Sequence, residues 1–264
     1  MVTKRTKLII ASTTSTQNSG LFDVLIPEFE KIASFGPQVE VIAVGTGQAM
    51  RIAKKGGADL LFVHDPFREA KFIAEEFGVN RRLVMHNDFV ILGPNADPAR
   101  IKGLTGPVDA FELIAEKGAP FVSRGDDSGT NAKELDLWDN AGVNPKGKEW
   151  YFEAKAKMGD ALIQANTKRA YILSDRGTFL NYESRIRLKV LVEGHALLKN
   201  QYCVIAVNPA KFPGVRYREA MEFIAFVTSP AGQGVIARYK KHGVNLFIPD
   251  AIPASVLVRT RKKR

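Results

Sequence analysis

Three short segments of this 264-residue chain carry side chains able to do chemistry. The first is Ser12-Thr13-Thr14-Ser15-Thr16-Gln17-Asn18-Ser19-Gly20, with five hydroxyl side chains in a row. A helix start needs one capping residue, and Ser19 or Asn18 would serve. The surplus hydroxyls, beside the free N–H groups of a helix start, form a natural oxyanion site. The second segment is Gly45-Thr46-Gly47. It reads as a plain turn, or as a loop whose glycines let the backbone approach a bound group closely. The third is Arg124-Gly125-Asp126-Asp127-Ser128-Gly129-Thr130. It offers a permanently charged planar fork suited to tetrahedral oxyanions, two hydroxyls, and N–H groups at the positive end of a helix. Its acidic pair either orients Arg124 or caps the helix. Without a ligand, the same segment reads as an Arg–Asp pair stapling a helix start.

Other chemistries fit these residues less well. Gly45-Thr46-Gly47 begins a GxGxxG pattern, but Met50 stands at its third glycine and the dinucleotide fingerprint fails. A phosphate loop ending in GK[ST] is absent. Asp126 and Asp127 have no histidine close by in sequence, which makes a thin metal site. The histidines His64, His86, His195 and His242 are scattered, and no GxSxG or HExxH pattern accompanies them. A phosphatase or phosphotransferase would therefore lack its base or its metal. No aromatic or adenine-reading segment accompanies the three loops, so they suit a small tetrahedral oxyanion better than a nucleotide.

The elements that must position these segments follow from hydrophobic spacing. Apolar runs at 7–11, 39–44, 58–63, 89–92, 120–123, 150–153, 170–173, 188–192 and 202–207 read as strands. Amphipathic spacing predicts helices over 20–33, 48–55, 67–76, 108–117, 128–140, 159–166, 216–227 and 231–240. This alternation predicts an α/β fold with a mostly parallel sheet, and no repeat or low-complexity linker interrupts it. In such a fold the loops after strand C-termini gather at one edge of the sheet, where ligands bind. All three segments are loops of that kind, two in the first half of the chain and one in the second.

Composition narrows the class further. Hydrophobic residues at 45% and charged residues at 25% are ordinary for a globular protein. No run approaches the ~18 apolar residues of a membrane span. The lone Cys203 can form neither an intrachain disulfide nor a Cys-rich metal site. Five of the positive charges behind the net +10 sit in the last six residues, 259–264. Such a tail reads as a solvated terminus more readily than as a contact for nucleic acid or a membrane surface. The opening residues pass into a strand with too little apolar length for a signal peptide. The expectation is either a cytoplasmic protein or one whose signal has been removed.

The motifs have a familiar shape. Arg-x-Asp-x-Ser-Gly-Thr at 124–130 resembles the anion loop of periplasmic phosphate-binding proteins. A wider set resembles a narrower family, the tungstate-binding proteins of tungstate ABC importers (the TupA type). Ser12-Thr13-Thr14-Ser15 stands where that family has Thr-Thr-Thr-Ser, and Val44-Gly-Thr-Gly-Gln-Ala49 is intact. Ala58 to His64, Asn87-Asp-Phe-Val90, Ser123 to Thr130, Asp175-Arg-Gly-Thr178 and Val192-Glu-Gly194 complete the set. The resemblance covers nearly the whole chain. One departure is Lys155 to Gly159, which replaces a stretch richer in glycine and glutamine.

The resemblance implies the type II periplasmic binding-protein fold. Two α/β lobes would be joined by two crossing strands, with the ligand cleft between them. Lobe one is then 1–89 plus 204–264, and lobe two is 90–203. Thr14, Ser15 and Thr46 would contact the oxyanion from lobe one, and Arg124, Ser128, Gly129 and Thr130 from lobe two. The implied ligand is tungstate or molybdate, with no cofactor, no bare metal ion and no catalytic residue. The implied partners are an ABC transporter permease and its ATPase subunit, without nucleic acid. The protein would be a monomer in the periplasm or at the cell surface. Alternatives are a molybdate- or phosphate-binding protein of the same fold, a phosphoryl-handling enzyme, or a cytoplasmic anion-sensing or nucleic-acid-binding protein. Phosphate keeps a proton near neutral pH and gains from a carboxylate acceptor, whereas tungstate and molybdate are bare dianions that a carboxylate repels. Asp65 is therefore expected to point away or to pair with a basic residue. His64 is expected to be satisfied or on the surface rather than to line the site.

Overall fold

The computed structural model describes residues 7–241 and 243–251. Residues 1–6, His242 and the basic tail 259–264 lie outside them. The chain divides into two compact units. One comprises the described residues up to His86 and from Gln201 onward, and the other is Asn87–Asn200.

The first unit opens with β1 (Lys7–Thr13), α1 (Thr14–Ser19), α2 (Leu21–Ile32), β2 (Gln38–Val44), α3 (Thr46–Ala53), β3 (Leu60–Val63) and α4 (Pro66–Ala74). β1 pairs in parallel with β2 and β3, with Ile10 opposite Val41 and Leu60. Alternate residues of a strand point to opposite faces, so this sheet builds two cores. Leu8, Ile10 and Phe62 pack on Leu21, Phe22, Leu25 and Phe29, which share one face of α2. Ala11, Leu61 and Val63 pack on Ala49, Met50 and Ala53 of α3.

β4 (Gly78–Gly93) begins in this unit and ends in the second. It is far longer than the apolar run 89–92, because polar residues such as Asn80, Arg81 and Arg82 fill its first half. The second unit continues with α5 (Pro107–Glu116), β5 (Phe121–Ser123), α6 (Gly129–Asn140), β6 (Tyr151–Glu153), α7 (Met158–Lys168), β7 (Ile172–Asp175), α8 (Arg176–Tyr182) and β8 (Lys189–Val192). β9 (Lys199–Val207) returns the chain to the first unit. There α9 (Tyr217–Thr228), α10 (Pro230–Arg238), β10 (Lys240–Lys241), β11 (Val244–Asn245) and β12 (Ile248–Pro249) complete it.

The sheets are mixed rather than mostly parallel. The first unit's strands run in the order β12-β4-β9-β3-β1-β2. β3 meets β9 antiparallel, with Leu61 opposite Ile205, and β12 meets β4 antiparallel. In the second unit β7 and β8 both pair antiparallel with β4, while β5 and β6 are parallel. The helical spacing expected for 20–33 also begins earlier than anticipated, since Thr14–Ser19 already forms α1. Gly20, at φ 84°, joins α1 to α2 in the left-handed conformation that glycine adopts without strain. Among the described residues no helix is long and apolar enough to cross a membrane.

Gly78 shows how tightly the first unit is packed. A Cβ there would lie 2.5 Å from Phe72 Cε1 and 2.6 Å from Ile205 Cγ2. Gly78→Ala is expected to lower the unfolding free energy by about 1–3 kcal/mol, as overpacked cores do, measured by urea denaturation.

Candidate functional site

Registers of the first unit set its polar cluster. Thr13 lies opposite Val44, and Ser12 lies opposite Phe62. The starts of α1 and α3 and the end of β3 therefore meet at one sheet edge. The hydroxyls there divide by role. Ser12 donates to the Phe62 carbonyl (2.7 Å) and is consumed by the sheet. Thr13 caps α1, accepting from the Thr16 N–H at 3.2 Å, and its Oγ1 lies 2.7 Å from Thr16 Oγ1 and 3.0 Å from Ser15 Oγ. Thr14 and Ser15 occupy the first turn of α1, half-buried. Thr46 opens α3 after Gly45, a cap that offers no side chain. Its side chain is buried, and neither its hydroxyl nor that of Thr14 has a hydrogen bond to the described residues. The far end of α1 is held by Tyr239, which donates to the Ser19 carbonyl, and by Lys241, whose Nζ lies 3.3 and 3.2 Å from the Asn18 and Ser19 carbonyls. A cation at a helix C-terminus is favourable.

His64 is a satisfied histidine, as expected. It is buried inside this cluster, with Nε2 3.2 Å from Thr13 Oγ1 and 3.4 Å from Ser15 Oγ. Its ring stacks on Tyr202 at 4.6 Å. Asp65 behaves as anticipated. Its carboxylate caps α4 through the Arg68 N–H (3.0 Å) and pairs with the Arg68 guanidinium (2.7 Å). Beneath it the fully buried Glu69 takes Arg81 Nε (2.9 Å) and Nη2 (2.7 Å) and the Asp65 N–H (2.8 Å). Burial pushes the Glu69 carboxyl upward, while hydrogen bonds and the Arg81 charge oppose that shift. Burial likewise raises the Cys203 thiol well above its ordinary value.

In the second unit the loop from β5 to α6 holds Arg124, Ser128, Gly129 and Thr130 together. Ser128 caps α6, accepting from the Asn131 N–H at 3.2 Å. Asp126 accepts from the Ser128 N–H (3.2 Å) and pairs with Arg124 Nη2 (2.5 Å), so it orients the arginine. Gly125 and Asp127 make the tight turn with φ of 59° and 56°. Thr130 is buried, and its hydroxyl has no partner among the described residues. The Arg124 side chain is 12% exposed, and its Nε is a buried donor with no acceptor among the described residues. An unpaired buried donor is costly, and the Arg124 Nε–H calls for an acceptor that the described residues do not supply.

Residues below this loop hold it in place. Glu134, buried on α6, accepts from Ser123 Oγ, Trp138 Nε1 (3.0 Å), Tyr151 Oη (2.7 Å) and Asn131 Nδ2 (3.5 Å). Trp138 in turn packs on Phe111 at 4.3 Å and edge-on to Phe121 at 5.1 Å. Burial pushes the Glu134 carboxyl above its ordinary value, and its donors pull it partly back. Burial and that carboxyl both hold the Tyr151 phenol up, so it remains a donor.

Two features of this unit escaped the sequence reading. The Ala156 N–H donates to the Arg124 carbonyl (3.3 Å), which sets the start of α7 beside the arginine. A Cβ on Gly159 would fall 2.1 Å from Tyr182 Oη. The glycine therefore lets Tyr182 reach the first turn of α7, and Gly159 was the one signal of it. The remaining motifs meet in one ion cluster. Asp175 caps α8 through the Thr178 N–H (2.8 Å) and hydroxyl (2.7 Å). Arg176 is bidentate to Asp88 and also bonded to Glu193.

Comparison with known proteins places this arrangement in context. The model of the PBP superfamily domain matches residues 2–231. The chain is 43% identical over 248 residues to the tungstate-binding protein TupA of Peptoclostridium acidaminophilum, covering 92% of this chain and 86% of that protein. Among solved structures, the tungstate-binding protein TupA from Desulfovibrio alaskensis G20 superposes with a TM-score of 0.86 at 42% identity, covering 94% of this chain and all of that one. The tungstate ABC transporter structure from Geobacter sulfurreducens gives a TM-score of 0.79 at 50% identity, covering 88% of this chain and 98% of that chain.

Proposed function

The chain belongs to the PBP superfamily and, within it, to the TupA-type tungstate-binding proteins, and from that premise we propose that it is the solute-binding protein of an ABC importer. It captures tungstate outside the cytoplasm and hands it to a membrane permease driven by an ATPase subunit. Molybdate, of the same charge and nearly the same size, is the second ligand. The protein works as a monomer, and no bond is made or broken.

Thr14, Ser15 and Thr46 of the first unit and Arg124, Ser128, Gly129 and Thr130 of the second are the groups that hold the ion. The observation that carries this reading is the buried Arg124 Nε, a charged donor awaiting an acceptor. A bare dianion only accepts hydrogen bonds, and this set is rich in donors: unclaimed hydroxyls, N–H groups of helix starts and one guanidinium. The acid beside the first set is turned to its own partner, since Asp65 is committed to Arg68. That suits an ion carrying no proton and disfavours hydrogen phosphate.

A thermal-shift panel tests this function. At a hundred times its dissociation constant a ligand adds about 2.7 kcal/mol to stability. Tungstate and molybdate should raise the melting temperature clearly at concentrations where phosphate and sulfate do not. A chain indifferent to tungstate, or one stabilised more by phosphate, contradicts the proposal.

A further inference from the structure

We propose that the C-terminal end of α7 and the segment leading into β8 form a docking surface for a membrane rich in anionic phospholipid. Lys168, Arg169, Arg185, Arg187 and Lys189 supply its charge. The inference goes beyond the oxyanion reading above and takes from it only a place of work beside a membrane.

The fold of the second unit brings the five cations together. Along Arg185-Ile-Arg-Leu-Lys189 burial alternates. Ile186 and Leu188 enter the core that holds Leu162 and Ala165 of α7, so Arg185, Arg187 and Lys189 face water. Each lies within about 7 Å of the next along the backbone, the reach of two extended residues. The Arg187 N–H donates to Asn166 Oδ1 (2.7 Å), which sets this row beside the last turn of α7, where Lys168 and Arg169 are exposed. Arg169 closes α7 at φ 50°, the left-handed position that favours glycine, so a cation stands there in spite of backbone strain.

A helix C-terminus favours a basic residue, but that accounts for Lys168 or Arg169 and not for the row beyond. Elsewhere on the surface Lys7, Lys31, Lys117 and Lys133 each meet a carboxylate. None of these five has such a partner among the described residues. Lys168 Nζ lies 4.2 Å from the ring centroid of Phe152, and Arg185 Cζ lies 5.7 Å from that of Tyr182. The ring faces hold both cations without cancelling their charge. Glu183, exposed in the turn before Arg185, leaves the patch strongly positive.

The chemistry of the patch selects its partner. A protein interface is built round apolar or aromatic anchors and is poor in lysine. Here the apolar residues of the row are buried in the core, and Ile163, partly exposed a turn earlier on α7, is ordinary for any surface. Single-stranded nucleic acid needs open ring faces for its bases, and Lys168 and Arg185 cover those of Phe152 and Tyr182. Exposed charge without an apolar centre fits a diffuse sheet of lipid headgroups, where each Lys or Arg strengthens binding about fivefold. The first turn of α7 lies beside Arg124, and a helix of this length spans about 16 Å. A membrane held at the other end leaves the arginine loop clear.

Flotation with vesicles of equal parts phosphatidylglycerol and phosphatidylcholine tests this. A basic tail attracts polyanions by itself, so every chain carries Arg259, Arg261, Lys262, Lys263 and Arg264 changed to Gln. This full-length reference should float with the mixed vesicles at low salt, leave them as salt rises, and ignore phosphatidylcholine alone. Adding Arg185→Gln, Arg187→Gln and Lys189→Gln should lower its partition about a hundredfold. Lys168→Gln with Arg169→Gly, on the other side of the patch, should lower it about thirtyfold. All five side chains are exposed, so melting temperature and tungstate affinity should match the reference. A reference that stays off the mixed vesicles, variants that bind them equally well, or a reference that binds duplex DNA as tightly as vesicles would each overturn the inference. A chain that floats yet ignores tungstate strikes the functional reading alone.

Discussion

Arg124→Ala should weaken tungstate binding at least about a hundredfold while leaving the fold intact. Hydrogen bonds to charged groups are worth about 1.5–3 kcal/mol each, and each 1.4 kcal/mol is a factor of ten in affinity. The guanidinium has Nε buried and unclaimed, and two such bonds from its fork already reach this figure. The loss is compounded by Asp126. With its partner Arg124 Nη2 gone, that carboxylate would face the dianion with its charge uncompensated. Arg124→Lys restores the charge but not the planar fork and should fall between the two. Titration calorimetry reads all three, and an unchanged affinity in Arg124→Ala would remove this residue from the site.

The second large effect is on stability. Glu134→Leu should lower the unfolding free energy of the second unit by about 3 kcal/mol or more, since each buried donor left without an acceptor costs about 1–3 kcal/mol. Trp138 Nε1 and Tyr151 Oη both lose their acceptor on Glu134 Oε1, and Ser123 and Asn131 lose theirs on Oε2. The variant should also bind the anion more weakly, because Ser123 and Asn131 hold the turn from Gly125 to Asp127. The carboxyl sits above its ordinary value of 4.5 in the fold. Its protonation therefore favours the folded state most below that pH, and this contribution is lost as the pH rises through the folded value. Urea denaturation at several pH values should find the slope reduced in Glu134→Leu. A loss under about 1 kcal/mol would show that Glu134 is not the hub of this unit.

Much of this architecture is written in local pattern. The apolar faces of α2 and α9, the buried run of β1 and the Ser128 cap of α6 are each visible in a few neighbouring residues. Asp65 is as well, because Pro66 and Arg68 follow it with the spacing of a capped helix start. What escapes such reading depends on residues distant in the chain. Thr14-Ser15-Thr16 is a poor helix former, and α1 is helped by a hydroxyl cap and by Tyr239 and Lys241, more than 200 residues later. The first half of β4 is masked by Arg81, whose charge is met by the buried Glu69. The antiparallel direction of β9 reflects the return of the chain from the second unit, and nothing in Tyr202 to Val207 encodes it. The surroundings of His64 are likewise not legible locally, because the hydroxyls beside its Nε2 lie 49 and 51 positions away.

On the proposed function, hydroxyls of the first unit and the guanidinium of the second would hold one tungstate ion. Anomalous diffraction at the tungsten edge, from crystals grown with stoichiometric tungstate, tests it most directly. One strong tungsten peak per chain is expected, with Ser15 Oγ and Arg124 Nε both within hydrogen-bonding distance of its oxygens. A peak that lies beside neither group, or beside one of them alone, would contradict it.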